Sequence, residues 1–303
     1  MASDKKQIVV RNSVYSVLND LINIPLKLIL ISYLISKLGL NEYGIWSLIG
    51  VLGGGIAQMS LSVPQGIVKY VPEYFAKKQF DKINQVLSTA LGLYILIGIL
   101  AVFIALFLQA WVYSAIFHLT PEQEPHYHFI FWGAVLVFIG NHMFGVFPSL
   151  LNGLQRMDIV SKISMVSNII EVSISLILLY FGWGLTGLIG LMVVIDSITI
   201  LSYIIYAKYI FRPLQIRFQL FNFTELNKIL KYSLQLQVSG VASQVVVDLP
   251  KVFISYYLGT AATGLYDVAL KDQHVRLLPK LRRFKKIFHD YDDFEKELNK
   301  DKE

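Results

Sequence analysis

Leu38-Gly39-Leu40-Asn41-Glu42-Tyr43-Gly44-Ile45-Trp46 returns 220 positions later as Leu258-Gly259-Thr260-Ala261-Ala262-Thr263-Gly264-Leu265-Tyr266. Both copies read Leu-Gly, four variable residues, Gly, Ile or Leu, and an aromatic residue, and each follows a long apolar run. The chain therefore begins a second unit similar to its first. Membrane proteins built from two similar helical units place a site between them and rock about it.

Composition sets the class. Hydrophobic residues make up 55% of the 303, charged residues 16%, and the mean hydropathy is +0.55. A soluble domain carries far more charge, so an all-α integral membrane protein is expected. The absence of cysteine excludes disulfides, thiolate nucleophiles and Cys-ligated metals. Residues 1–12 are polar and lack a signal-peptide cleavage pattern, so the first apolar segment is expected to stay in the mature protein.

Runs long enough to cross about 30 Å of hydrocarbon, which takes about 20 helical residues, cover Val14 to Ile35, Tyr43 to Val68, Val86 to Tyr113, Phe129 to Leu151, Ile159 to Phe181 and Leu185 to Ala207. The second holds Gly53-Gly54-Gly55 and Pro64; the fourth holds Gly133, Gly140, Gly145 and Pro148, so both should kink or pack closely. A seventh run, Tyr232 to Leu258, carries Gln235, Gln237, Gln244, Asp248, Pro250 and Lys251. Asp or Lys near a helix centre costs about 2.5–3.5 kcal/mol on insertion, against about 0.3–0.6 returned by each Leu or Val. That helix needs polar neighbours.

Fourteen Lys and Arg residues lie in the amino-terminal segment and in every second loop, while the alternate loops hold only Lys37. The amino terminus is expected to be cytoplasmic and the protein multi-pass in the cell's inner (cytoplasmic) membrane. The net charge of +6 then belongs to the membrane surface, and no nucleic-acid partner is expected. His118, Glu122, Glu124, His126 and His128 share an outer loop; they are read as solvated, with no metal site and no cofactor expected.

Several stretches resemble the polysaccharide (O-antigen, capsule, exopolysaccharide) flippases of the multidrug/oligosaccharidyl-lipid/polysaccharide exporter superfamily. They are Leu38 through Trp46, Val68-Lys69-Tyr70-Val71-Pro72-Glu73-Tyr74, Leu151-Asn152-Gly153-Leu154-Gln155-Arg156, Gly182-Trp183-Gly184-Leu185, and Leu258 through Asp267. Their order and spacing over residues 10–270 carry the resemblance. It implies twelve to fourteen helices in two six-helix lobes around a central cavity, and a polyprenyl-diphosphate-linked glycan flipped to the outer leaflet, with membrane lipid around it.

The sequence departs from that pattern after Asp267, where helix eight is expected to be missing or vestigial. The expected organisation is a six-helix lobe (1–212), a cytoplasmic linker (213–231), the start of a second lobe (232–270) and a charged amphipathic tail (271–303). In the tail, Leu281, Phe284, Ile287, Phe288 and Tyr291 recur at helical spacing among basic residues. Seven spans would put this basic helix outside, against the charge rule. The expectation is a truncated chain, active only with a second copy or a separately encoded second lobe.

Ionisable residues inside spans are functional candidates by default. Asp20, Lys27, Glu171, Asp196, Asp248 and Lys251 qualify. At about 1.5 Å per residue, Lys27, Glu171, Asp196 and Asp248 all fall about 16–18 Å from the outer turns. Lys27 and Lys251 hold nearly equivalent places in the two copies, a pair of ammonium groups suited to a diphosphate. Gln58 and Asn141 are expected to meet sugar hydroxyls, and Glu171, Asp196 and Asp248 to carry coupling protons or cations or to serve structurally. The competing interpretation is that Lys27 pairs with Glu171 or Asp196 to hold helices together. The alternatives in function are a multidrug or cation exporter and a non-transporting scaffold. A membrane enzyme is not expected, because the only adjacent acidic pair, Asp292-Asp293, lies in the distal tail.

Overall fold

The computed structural model describes residues 2–51, 63–120 and 124–270. Gln58, Glu122 and the 271–303 tail lie outside the described residues, as do the side chains of Asp20, His126, Gln235, Gln237 and Gln244. Every element named among the described residues is helical. Backbone in hydrocarbon must satisfy its own hydrogen bonds, and helices do so within one segment.

The order is α1 (Ala2–Gly50), α2 (Val63–Ala76), α3 (Phe80–Trp111) with a π turn (Val112–Ile116), α4 (Glu124–Phe144), α5 (Val146–Gly153), α6 (Met157–Tyr180), α7 (Gly184–Ile210) and α8 (Phe223–Leu258). Phe80–Ile116, Tyr127–Gly153, Met157–Tyr180 and Gly184–Ile210 are long and apolar enough to cross a membrane. Packing links α1 to α6, α6 to α7, α7 to α4, α4 to α3 and α3 to α2, and α8 joins α2 back to α1, closing a ring of helices.

Two apolar clusters fill the ring. One lies towards the turns at Gly39 and Gly182 and includes Leu34, Tyr43, Ile130, Leu179 and Leu188. The other lies at the end rich in Lys and Arg and includes Ile67, Ile83, Leu87, Leu150 and Ile229.

The expected kink in the fourth span is a break between α4 and α5 at Gly145. Pro148 has no N–H to donate to the carbonyl four residues earlier, Phe144, and the next residue, Ser149, bonds Gly145 O twice, through its N–H at 3.2 Å and its hydroxyl at 2.7 Å. Gly133 and Gly140 on the same span face Ile189 and Ile200 of α7, so close packing is present too.

Gly39 breaks α1 at φ 78°, ψ 173°, and Gly259 ends α8 at φ 88°, ψ 169°. A side chain is excluded from that region of backbone space, which is why both copies of the repeat need Gly there. The repeat is therefore structural as well as textual.

At its start α8 is capped by Asn222, whose side chain accepts from Thr224 N at 2.8 Å and Glu225 N at 3.4 Å. Its first turns lie against Tyr70 and Tyr74 of α2, at the basic end. Its last turns lie against Ile116 and His118, at the opposite end. The seventh helix thus crosses from one end to the other, and its 36 residues give about 54 Å. Helical backbone resumes over residues 260–270 beside the Tyr43 turn, so the chain has begun an eighth helix running back.

Candidate functional site

A belt of polar side chains separates the two apolar clusters. On α4 it is Asn141, on α6 Ser167, Asn168 and Glu171, on α7 Asp196 and Thr199, and on α1 Asn23 and Lys27. On each of α4, α6 and α7 these fall between the residues of one cluster and those of the other. Apolar spans would not carry them without partners, because an unsatisfied polar group in hydrocarbon costs several kcal/mol, about as much as a lost hydrogen bond in an apolar medium.

The partners are present. Asn168 Nδ2 donates to Asn23 Oδ1 at 3.0 Å, and Asn23 Nδ2 donates to Asn19 Oδ1 at 3.0 Å. Ser167 and Thr199 share a hydrogen bond of 2.6 Å. Asn141 Nδ2 donates to Asp196 Oδ2 at 3.0 Å. Glu171 lies within electrostatic reach of both Asp196 and Lys27, the first opposing its charge and the second favouring it. Lys27 and Asn141 are exposed, so the belt offers an ammonium and an amide to whatever faces it.

The residues singled out from sequence therefore divide. Lys27, Asn141, Glu171 and Asp196 come together in the belt. Asp248 and Lys251 stand elsewhere, at the junction of the two repeat copies: Lys251 Nζ is 2.9 Å from Asp267 Oδ1 and 3.7 Å from Asp248 Oδ1. The Lys251 and Asp267 side chains are only 12% and 3% exposed. Tyr43 O–H donates to Asp267 Oδ2 at 2.7 Å, tying the first copy to the second. Gln58 and the Asp20 side chain lie outside the described residues. Of the histidines expected to share a loop, His118 follows the π turn and His128 lies on α4, and they have separate partners, the Ser255 carbonyl at 2.6 Å and the Tyr113 hydroxyl at 3.4 Å.

At the basic end a third cluster joins α2 to α8. Tyr74 O–H donates to Glu225 Oε2 at 2.9 Å, and Lys228 Nζ donates to Glu225 Oε1 at 2.7 Å and to the Tyr74 oxygen at 3.3 Å. The bond to Glu225 holds the Lys228 ammonium above its usual range, while burial pushes the Tyr74 phenol up. Lys69 stands 3.8 Å over the Tyr232 ring.

Sequence reasoning does not reach the belt's Asn23, Asn168, Ser167 and Thr199, nor the junction's Tyr43 and Asp267, as site residues. Tyr43 and Asp267 both lie inside the quoted motifs, and that is the signal that could find them. The uncharged belt residues escape a search that counts only ionisable groups.

A family model described as polysaccharide biosynthesis protein matches residues 9–272. Among solved structures, one described as the inward-facing conformation of a multidrug resistance MATE family transporter of the MOP superfamily matches with a TM-score of 0.67 at 16% identity. The match covers 90% of this chain and 62% of that chain, so this chain spans less than two thirds of the matched structure's length, and the likeness is one of fold. No curated protein matches.

Proposed function

The chain belongs to the polysaccharide biosynthesis protein family, and on that premise we propose that it moves polyprenyl-diphosphate-linked oligosaccharides across the cytoplasmic membrane for surface polysaccharide assembly. The observation that carries this reading is the mid-membrane polar belt with its exposed Lys27. In the proposed mechanism the diphosphate enters a wet interior and is attracted to the Lys27 ammonium. Sugar hydroxyls meet Asn141 and its uncharged neighbours, while the isoprenoid tail stays in lipid. Glu171 and Asp196, two carboxylates within reach of each other, carry the coupling proton or cation. Lys251, bridged by two carboxylates, has its charge compensated where it stands, so its proposed part is to hold Asp267 and not to grip the diphosphate.

The test is flipping of a fluorescent polyprenyl-diphosphate oligosaccharide in proteoliposomes, read by quenching from one side. Lys27→Ala should slow flipping at least about tenfold, since a hydrogen bond to a charged group is worth about 1.5–3 kcal/mol, and Lys27→Arg should restore most of it. Equal rates in Lys27→Ala and the parent would remove Lys27 from the mechanism. The paired carboxylates favour one second reading, export of a lipophilic cation. Movement of such a cation by vesicles that leave the glycolipid unflipped would select it.

A further inference from the structure

The two copies of the repeat meet face to face. A Cβ on Gly264 would come within 2.8 Å of the Leu40 carbonyl oxygen, and one on Gly44 would fall on the Thr260 carbonyl. Leu40 and Thr260 each follow the Gly that breaks their helix, so the two contacts are mirror partners under the repeat. At both contacts the nearest atom is backbone, and at Gly264 the Tyr43 ring follows at 3.3 Å.

We propose that this contact is a reversible seal over the non-basic face, latched by Tyr43 on Asp267, and that it parts when that face opens. The placement of the charges eases parting. Lys251, Asp248 and Asp267 all belong to the second copy, on α8 and residues 260–270. Among the described residues, their ion pairs with one another lie within that copy and stay together whichever way the seam moves. Among the described residues, the side-chain hydrogen bonds across the seam include four that are neutral on at least one side: Tyr43 O–H to Asp267 at 2.7 Å, Thr260 O–H to Asn41 Oδ1 at 2.8 Å, Ser255 O–H to the Ile116 carbonyl at 2.5 Å and His118 to the Ser255 carbonyl at 2.6 Å. Bonds of this kind exchange for water at modest net cost. A buried cross-seam ion pair would have been a lock; a phenol on a carboxylate is a latch.

The inference rests on the chain's being a transporter, but its test needs no substrate, so a failed flipping assay and a failed seal are told apart. Because the chain has no cysteine, Ser47→Cys supplies a single reporter. Ser47 is 6% exposed, lies one turn beyond Tyr43, and its hydroxyl has no partner. In proteoliposomes of the full chain, a membrane-impermeant maleimide is added from the non-basic side and labelling of residue 47 is followed by peptide mass. Tyr43→Phe should raise the rate about ten- to a hundredfold, and Tyr203→Phe, in the cluster at the basic end, should leave it unchanged. Adding Asn41→Cys and Thr260→Cys and oxidising them should stop labelling at residue 47, and reduction should restore it. Equal labelling rates with and without the Tyr43→Phe substitution would overturn the latch. Undiminished labelling after crosslinking would overturn the seal.

Discussion

Gly44 and Gly264 show how much a missing methyl group can decide. Each faces a carbonyl of the opposite copy, and a carbonyl in a turn has no rotamer to escape into. Gly44→Ala and Gly264→Ala should each cost about 1–3 kcal/mol, the usual penalty of overpacking. Gly190→Ala should be near neutral, because its Cβ would meet only the Phe129 ring at an ordinary 3.9 Å. Thermal unfolding in detergent, with the three variants side by side, checks this; because Ala is the better helix former, a Gly190→Ala loss as large as the other two would mean that any added methyl disturbs the helix packing and that the seam is not special. The glycines were visible in the sequence as a repeated spacing. Their reason was not, because Gly39 and Gly259 are needed for a backbone conformation, whereas Gly44 and Gly264 are needed for a neighbour 220 positions away.

Helix α8 is the element whose sequence looked least able to enter a membrane. The requirement for polar neighbours could be read from Asp248 and Lys251, and the structure supplies them: Asp267 at 2.9 Å from Lys251. The identity of the neighbour could not be read, since Asp267 lies in the following segment, and only the turn at Gly259 brings it back alongside. Removing one member of a buried pair costs about 3–5 kcal/mol, because the other charge is left uncompensated. Lys251→Met should therefore lower the melting temperature and the folded yield sharply. Adding Asp267→Asn should recover part of the loss, since one fewer carboxylate is stranded; additive losses in the double variant would show that the two residues do not act as a pair. The fourth span was more legible than α8. Gly145 and Pro148 act through local backbone geometry, which needs no knowledge of tertiary neighbours, and the break falls where they stand.

At the scale of the whole molecule, the clamps on α8 bear on one half of a conflict in the sequence, how far the seventh helix runs; the tail at 271–303 lies outside the described residues. Seven crossings set against the charge rule seemed to leave the carboxyl-terminal basic residues on the wrong face. With α8 held to Tyr74 at one end and to Ile116 at the other, it runs from the basic end of the described helices to the opposite end, and residues 260–270 turn back beside Tyr43. The polar belt was half legible for a similar reason: a charge inside a span announces itself, whereas Asn23 and Asn168 become a site only when α1 meets α6. Sidedness is the expectation that follows from the whole arrangement. The positive-inside rule acts through Lys and Arg in short loops near span ends, and these crowd one end, so that end should face the cytoplasm. Single cysteines at exposed Lys78 and Lys231 should react with an impermeant maleimide only after cells are opened. Single cysteines at exposed Pro125 and Trp183 should react on intact cells. Lys231 is the discriminating position, because it stands near the start of α8: labelling of Lys231→Cys on intact cells while Lys78→Cys stays protected would place α8 upside down relative to its clamps, and the two-ended arrangement of belt and seam would fall with it.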